Sequence, residues 1–319
     1  KYIRLDSING LTDRYISSIK KDITGNFILI KTQNASYAVF DLNKKKCIGV
    51  AKMSDSTSFY EHLPYTFDNY FQLPIQRTFC KAMSKIDYSV KKQKLIQENE
   101  LKNIKSKLKP GDIIIKRDDY QVSNWGIPGF WTHSGIYIGG EDELNYYFDS
   151  IPMLNNLKAT EYIRVLYPRI YERIKGQNSL IIEAIGEGVV INPIEHIAKV
   201  DYFAALRTTI SKEQLFLSLL IAFSNYNKPY DFLFDFDTDN SLVCSELVYK
   251  SFKPNGVIFK PGKLNGKLFL SPNDIAKQYS EESGLINKQF QLVVFYDCEN
   301  KKRKSYLNNE KEFLKTWLR

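Results

Sequence analysis

The segment that decides the fold is WTHSGIYIG, residues 131–139. Its apolar run closes on a pair of glycines, which predicts a short buried strand with His133 at its beginning. The preceding loop, WGIPGF at residues 125–130, is rich in glycine, proline and aromatic residues. A histidine that begins a strand directly after such a loop is typical of the wall of a cleft. A single histidine is, however, more often a packing or surface residue.

A second informative segment is SLVCSELVYKSF, residues 241–252, which predicts a helix with an apolar side that includes Leu247 and Phe252. Cys244 stands near the beginning of this helix, where the helix dipole and free N–H groups lower the pKa of a thiol. The other three cysteines, at positions 47, 80 and 298, lack this setting, and no CxxC pair is present. Zinc-ribbon and thioredoxin-type motifs are therefore excluded. The alternative is a buried helix cysteine that only packs.

Apolar runs elsewhere predict strands at residues 113–115, 180–184, 188–191 and 291–295, and a helix at residues 212–225. Before them, residues 27–30, 37–40 and 47–51 predict three strands, and residues 84–108 a polar helix with Leu101, Ile104 and Leu108 along one stripe. Several strands mixed with separate helices indicate the α+β class. We predict a β-rich N-terminal module at residues 1–80 and a larger domain at residues 81–319.

Five short segments of the larger domain occur in a characteristic order: GDII (111–114), WTHSGIYIG (131–139), IEA (182–184), PYD (229–231) and CSELVY (244–249). Together they resemble the YiiX/YebB-like permuted papain-fold amidases, relatives of the NlpC-type cell-wall cysteine peptidases. The resemblance covers about residues 105–275, including SPND at 271–274. It implies a circularly permuted papain-like fold with an antiparallel sheet and a nucleophile helix, in which the strand histidine precedes the cysteine. Residues 1–80 would then be an N-terminal β-rich extension.

By this resemblance Cys244 is the nucleophile, His133 the general base, and Glu183 the residue that orients the imidazole. The chemistry agrees, because a thiolate needs an imidazolium partner and a third group that fixes the ring. Glu183 lies in the next predicted strands after His133 and can face the same cleft. The other two histidines, His62 and His196, are interpreted as a connecting-segment residue and a surface helix residue.

Three further residues are predicted to contact substrate: Trp131, Tyr230 and Asp237. Tyr230 lies one loop before Cys244 and can offer its hydroxyl to an oxyanion or to substrate, with ordinary aromatic packing as the alternative. Asp237 belongs to an acidic rim on the cleft, which would favour substrates that carry an amino group. A solvated polar turn is the alternative interpretation of this acidic segment.

The same acidic segment also matches a calcium-loop template. Asp235, Asp237, Asp239 and Glu246 fall at positions 1, 3, 5 and 12 of the template, and Asn240 replaces its glycine. Pro229 breaks the incoming helix too early for this motif, and Cys244 would be consumed in the loop. We therefore favour the acidic rim, and predict neither a metal site nor a cofactor.

The charge balance is basic, with 45 Lys and Arg against 36 Asp and Glu, a net charge of +9 and a pI near 9.1. The excess lies in short lysine clusters without aromatic interleaving, which argues against nucleic-acid binding and leaves contact with an anionic surface open. Apolar runs are far shorter than the roughly 20 residues that span a bilayer, so no transmembrane segment is expected.

The leading functional hypothesis is a cysteine-dependent hydrolase that cleaves an amide bond through a thioester acyl-enzyme. Its partners would be peptides, cell-wall fragments or lipid-derived amides, and the resemblance implies a periplasmic, cell-envelope or secreted location. Two alternatives stay open: a lipid acyl hydrolase or acyltransferase on the same triad, and a catalytically inactive papain-like binding module. The sequence leaves the oligomeric state undetermined.

Overall fold

A computed structural model describes residues 95–119, 127, 129–231, 241–264, 267–299 and 304–319. It also describes the backbone of four N-terminal strands, β1 (Ile16–Lys21), β2 (Phe27–Thr32), β3 (Ser36–Asp41) and β4 (Lys46–Lys52). The chain divides into two compact units: residues 1–93 with 119–128, and residues 94–118 with 129–319. The predicted boundary between residues 80 and 81 falls outside the described residues and stays a prediction.

The first unit contains an antiparallel sheet in the order β1-β2-β3-β4. Strands β2, β3 and β4 coincide with the three predicted apolar runs. Strand β1 was not predicted, because its sequence ISSIKK has only two apolar residues and no period-2 alternation.

The second unit is built on a seven-stranded sheet in the order β13-β12-β9-β5-β6-β7-β8, in which every neighbouring pair is antiparallel. Its strands are β5 (Ile113–Arg117), β6 (His133–Gly139), β7 (Leu180–Ile185), β8 (Gly188–Pro193), β9 (Tyr202–Thr208), β12 (Phe290–Glu299) and β13 (Lys304–Leu307). A separate hairpin pairs β10 (Gly262–Leu264) with β11 (Lys267–Phe269). Five of these strands include runs that the sequence analysis predicted.

The helices are α1 (Glu98–Lys107), α2 (Glu141–Tyr147), α3 (Ala159–Leu166), α4 (Pro168–Ile174), α5 (Glu195–Ala198), α6 (Lys212–Ser224), α7 (Cys244–Phe252), α8 (Pro272–Glu281) and α9 (Glu310–Phe313). Helix α1 turns its predicted stripe inward, and Leu101 and Ile104 join a buried core with sheet residues such as Tyr137 and Phe203. Helix α7 packs against α6 and strands β6 and β7. None of the described helices is long and apolar enough to cross a membrane.

Strand β9 is an interior strand of the sheet, between β12 and β5, yet the sequence analysis did not predict it. Its sequence YFAALRT contains two alanines, which have low β-propensity, and every residue from Tyr202 to Leu206 is buried, so polar alternation is missing. Arg207 donates two hydrogen bonds, of 2.8 and 2.7 Å, to the buried carboxylate of Asp112 and so joins β9 to the start of β5. Mixed helices around an antiparallel sheet confirm the predicted α+β class.

Candidate active site

Cys244 is the first residue of helix α7, and its side chain is buried. The chain just before it is held against residues 229–231 by backbone hydrogen bonds: Leu242 N–H donates to the Pro229 carbonyl (3.0 Å), and Asp231 N–H donates to the Leu242 carbonyl (3.1 Å). These bonds fix where the helix begins. The thiol therefore lies at the positive end of the helix dipole, in a protected position.

His133 is the first residue of β6, and its position depends on the short segment before the strand. The Asn273 side chain of α8 accepts hydrogen bonds from the N–H groups of Phe130 (3.0 Å) and Trp131 (3.3 Å). Gly129 precedes them with φ +92°, and a Cβ there would lie 2.3 Å from an Asn273 side-chain atom. Only glycine fits this close approach without displacing the asparagine.

Glu183 reaches His133 because β6 and β7 are neighbours in the sheet. Gly135 lies opposite Glu183, and His133 is two residues from Gly135, so both side chains are on the same face. The ring nitrogen Nε2 of His133 is 2.7 Å from Oε2 of Glu183. Because Nε2 is engaged there, Nδ1 is the ring nitrogen left to face Cys244, and the imidazole and the thiol shift each other's pKa.

The electrostatics of this group favour a thiolate–imidazolium pair. Burial acts to raise the pKa of Cys244, but the charge and hydrogen bond of His133 together with Ser134 lower it below its ordinary value. Burial acts to lower the pKa of His133, but Cys244 first and Glu183 second raise it to about 9. For Glu183, burial is outweighed by hydrogen bonds from His133 and then His196, so its pKa is lowered and it is an anion at neutral pH.

Ser134 adds to this environment as a buried neighbour of the thiol. Its Oγ has no regular hydrogen-bond partner within the described part of the chain, yet it is close enough to Cys244 to contribute to the lowered pKa of the thiol. The backbone N–H of Ser134 makes the larger contribution, so the start of strand β6 itself favours the thiolate.

Glu183 has two more partners, both on its other oxygen. Oε1 accepts a hydrogen bond from Nδ2 of Asn192 (3.0 Å) and lies 2.6 Å from Nδ1 of His196. The interpretation of His196 as a surface helix residue is confirmed, since it lies on α5 and half of its side chain is exposed. The contact between its inner ring nitrogen and the buried carboxylate of Glu183 was not predicted. The missed signal was the β7–β8 hairpin, which returns residues 192–196 to the side of Glu183.

The residues predicted to contact substrate have different surroundings. Trp131 is fully buried, packs its ring against Phe295 and Phe313, and donates Nε1–H to Thr316 Oγ1 (2.9 Å). This burial favours a packing role over the predicted substrate contact. Tyr230 is half-buried and its backbone bridges to Leu242, two residues before Cys244. Asp237 lies outside the described residues, as do Asp235, Asp239 and His62.

Glu246, the fourth residue of the calcium-loop alternative, is buried and engaged within its own helix. Its carboxylate accepts the Val243 N–H (3.3 Å) and pairs with Lys250 (2.8 Å). Burial raises the pKa of Glu246 to about 7 against the opposing effect of Lys250. These contacts leave it poorly suited as a calcium ligand. Among the described residues, no group of three or more His, Cys, Asp or Glu side chains is placed to hold a metal ion.

An antiparallel sheet with a strand histidine that precedes a helix-borne cysteine is the arrangement of a permuted papain-like fold. Residues 107–296 match the family of permuted papain-like amidase enzymes, YaeF/YiiX, the C92 peptidases. The chain belongs to this family, which confirms the predicted resemblance and fold class and makes it a cysteine-type amidase in general terms.

A solved structure that resembles the chain is that of the metalloprotein YiiX from Escherichia coli O157:H7. The two share 16% identity over 64% of this chain and 97% of that chain, with a TM-score of 0.34. No curated protein matches the chain.

Proposed function

We propose that the protein hydrolyses an amide bond of a peptide or acyl-amide substrate through a thioester acyl-enzyme on Cys244. The observation that carries the proposal is the buried chain of contacts from Cys244 through His133 to Glu183, in which the pKa values of thiol and imidazole move toward the ion pair. A nucleophile, a base and an orienting carboxylate in contact are the parts that nucleophilic amide cleavage requires.

In the acylation step the Cys244 thiolate attacks the carbonyl carbon and forms a C–S bond. The carbonyl oxygen becomes an oxyanion, and the His133 imidazolium donates its proton to the departing nitrogen as the C–N bond breaks. The amine product leaves with that proton, and a thioester remains on Cys244. Glu183 keeps the ring aligned and stabilises its positive charge until the proton is transferred.

In the deacylation step the neutral His133 removes a proton from water, and the resulting hydroxide attacks the thioester carbonyl. The C–S bond breaks, the carboxylic acid product leaves, and the thiolate again faces an imidazolium. A helix leaves its first N–H groups without intrahelical acceptors, so the Cys244 N–H is the natural donor to the oxyanion in both steps. The Tyr230 hydroxyl is our proposed second contact to the substrate or oxyanion.

For substrate class, we propose peptides, cell-wall fragments or lipid-derived amides. Asp237 is our proposed contact for a substrate amino group. The test measures how wild-type protein and the Cys244→Ala variant hydrolyse three chromogenic substrates. These are a peptide anilide with a free amino group, an N-acyl anilide with a long alkyl chain, and a long-chain ester. Intact-mass analysis after rapid acid quench looks for the acyl group on the protein.

The expected result is anilide hydrolysis with an acyl adduct that Cys244→Ala lacks. A strong preference for the long-chain ester would instead favour the lipid hydrolase alternative. Absence of turnover and of adduct with all three probes, in protein whose Cys244 is reduced, would favour the inactive binding module and refute the proposal.

A further inference from the structure

We propose that His196 is a positioning residue of the amidase site, which together with Asn192 holds the Glu183 carboxylate in the orientation that serves His133. This inference rests on the proposed function. It begins with the division of the carboxylate into two differently used oxygens: Oε2 faces His133 (2.7 Å), whereas Oε1 receives His196 (2.6 Å) and Asn192 (3.0 Å).

The burial of Glu183 makes these extra donors necessary. Its side chain is 1% exposed, so water does not solvate the carboxylate. A buried anion with an unpaired oxygen is strongly destabilised, and His133 supplies a donor to one oxygen only. Without partners on Oε1, the carboxylate would be more stable if it rotated toward another donor. The His133 ring would then lose the hydrogen bond that orients it.

The two donors on Oε1 come from rigid parts of the second unit. Asn192 lies on β8, which pairs along its whole length with the strand that carries Glu183. His196 lies on the single turn α5, whose next residues, Ile197 and Ala198, are fully buried in the core. An ion pair between Glu195 and Lys105 (2.5 Å) ties the same turn to helix α1.

The chemistry of the contact identifies which atom of His196 matters. A carboxylate ion only accepts hydrogen bonds, so the proton lies on Nδ1, and the remaining ring nitrogen is on the half-exposed side. An asparagine at this position can present an amide N–H close to the place of Nδ1. A glutamine of similar polarity places its amide near Nε2 and cannot reach Oε1 in the same way.

The experiment therefore compares His196→Asn, His196→Gln and His196→Ala with wild type. Lys199→Ala is the matched control, because Lys199 follows the same turn but pairs with Glu98 at the surface (2.6 Å). Two readouts are measured: kcat and KM on the peptide anilide, and the rate of Cys244 alkylation by iodoacetamide below neutral pH. Melting temperatures establish that each variant is folded.

We expect His196→Ala and His196→Gln to lower kcat about tenfold, the effect of one hydrogen bond to a charged group, with KM changed less than about twofold. Cys244 alkylation should slow by a similar factor, because a misaligned imidazolium stabilises the thiolate less. His196→Asn should recover most of both rates, and Lys199→Ala should match wild type. If His196→Ala does not fold, the comparison of Asn with Gln decides.

Equal rates for the Asn and Gln variants, or wild-type rates for Ala, would overturn the positioning role. His133→Ala and Glu183→Ala separate this outcome from failure of the proposed function. If they slow alkylation while His196→Ala does not, only the inference on His196 fails. If none of them changes the reactivity of Cys244, the proposed function itself fails.

Discussion

Replacing Glu183 by glutamine tests the proposed chain of contacts most directly, because the two side chains have nearly the same shape and differ in charge. The pKa of His133 is raised from 6.5 to about 9 by Cys244 first and Glu183 second. This difference corresponds to roughly 3 kcal/mol of stabilisation of the imidazolium. This figure is net of burial, which is the largest effect and lowers the pKa of His133, so it cannot be divided between the two partners. Glu183→Gln removes one hydrogen bond to a charged group, which is worth about 1.5–3 kcal/mol.

The sign of the pH effect follows from the direction of each shift. Activity needs the thiolate, formed as pH rises through the lowered pKa of Cys244, and the imidazolium, lost as pH rises through about 9. In Glu183→Gln the imidazolium is less stable, so the alkaline limb of kcat/KM moves to lower pH, by about one to two units. The acid limb moves up, because the thiolate loses part of its partner. The pH range in which the enzyme is active therefore becomes narrower at both its acid and its alkaline limit.

The assay is kcat/KM on the peptide anilide from pH 5 to 10 at constant ionic strength, with Cys244 alkylation as a second profile. Glu187→Gln is the matched control, since Glu187 is exposed at the turn between β7 and β8 and its loss removes the same charge. We expect kcat at the optimum to fall at least tenfold in Glu183→Gln and to change little in Glu187→Gln. An unshifted alkaline limb, with kcat near that of wild type, would refute the assigned role of Glu183.

Three further outcomes are expected. Near neutral pH, iodoacetamide should alkylate Cys244 faster than the other three cysteines, and His133→Ala should abolish this preference; equal rates at all exposed thiols would contradict it. Glu246→Gln should raise the melting temperature more at pH 8 than at pH 5. The pKa of Glu246 is raised to about 7 in the folded protein, so the wild-type protein loses stability as the pH rises from about 4.5 through 7 and the carboxyl ionises. An equal effect at both pH values would contradict the raised pKa. Millimolar calcium or a chelator should leave the melting temperature unchanged, and Asp237→Asn should alter substrate preference more than stability; calcium-dependent stabilisation would favour the calcium loop.

The parts of the fold that could be predicted from sequence are those in which local pattern and final environment agree. Strands β5, β6, β7 and β12 each contain an apolar run, and helix α6 has a serine cap at Ser211 before its apolar stretch, so local preference and burial favour the same structure. Strand β9 fails this test, because its alanines have no β preference of their own. It is a strand because β5 and β12 pair with it on both sides.

The helices α2, α3 and α4 were missed for a related reason. Each has seven or eight residues and buries only one to three of them, as in α2, where Leu144 is the buried residue. Isolated helices of this length are unstable in water, so their sequences carry little periodic signal. They exist because the second unit supplies an apolar surface for their few inward residues.

The residues of the candidate site likewise differ in how far local sequence predicts them. Cys244 and His133 could be selected from sequence because each stands at the end of an element, where backbone position decides what a side chain can do. Predicting that Glu183 contacts His133 requires the strand register as well as the strand positions, since a shift of one residue in the β6–β7 register would turn Glu183 to the opposite face of the sheet.

Predicting the contact between His196 and Glu183 requires the tertiary packing of one helical turn. The His196 ring contacts Glu183 because Ile197 and Ala198 set the rotation of one helical turn against the core, a tertiary constraint absent from the pattern of residues 195–198. The neighbours of His196 in the sequence therefore indicate only a surface position. The feature that predicts a second polar partner is the buried carboxylate of Glu183, thirteen residues earlier, because each of its oxygens requires a donor.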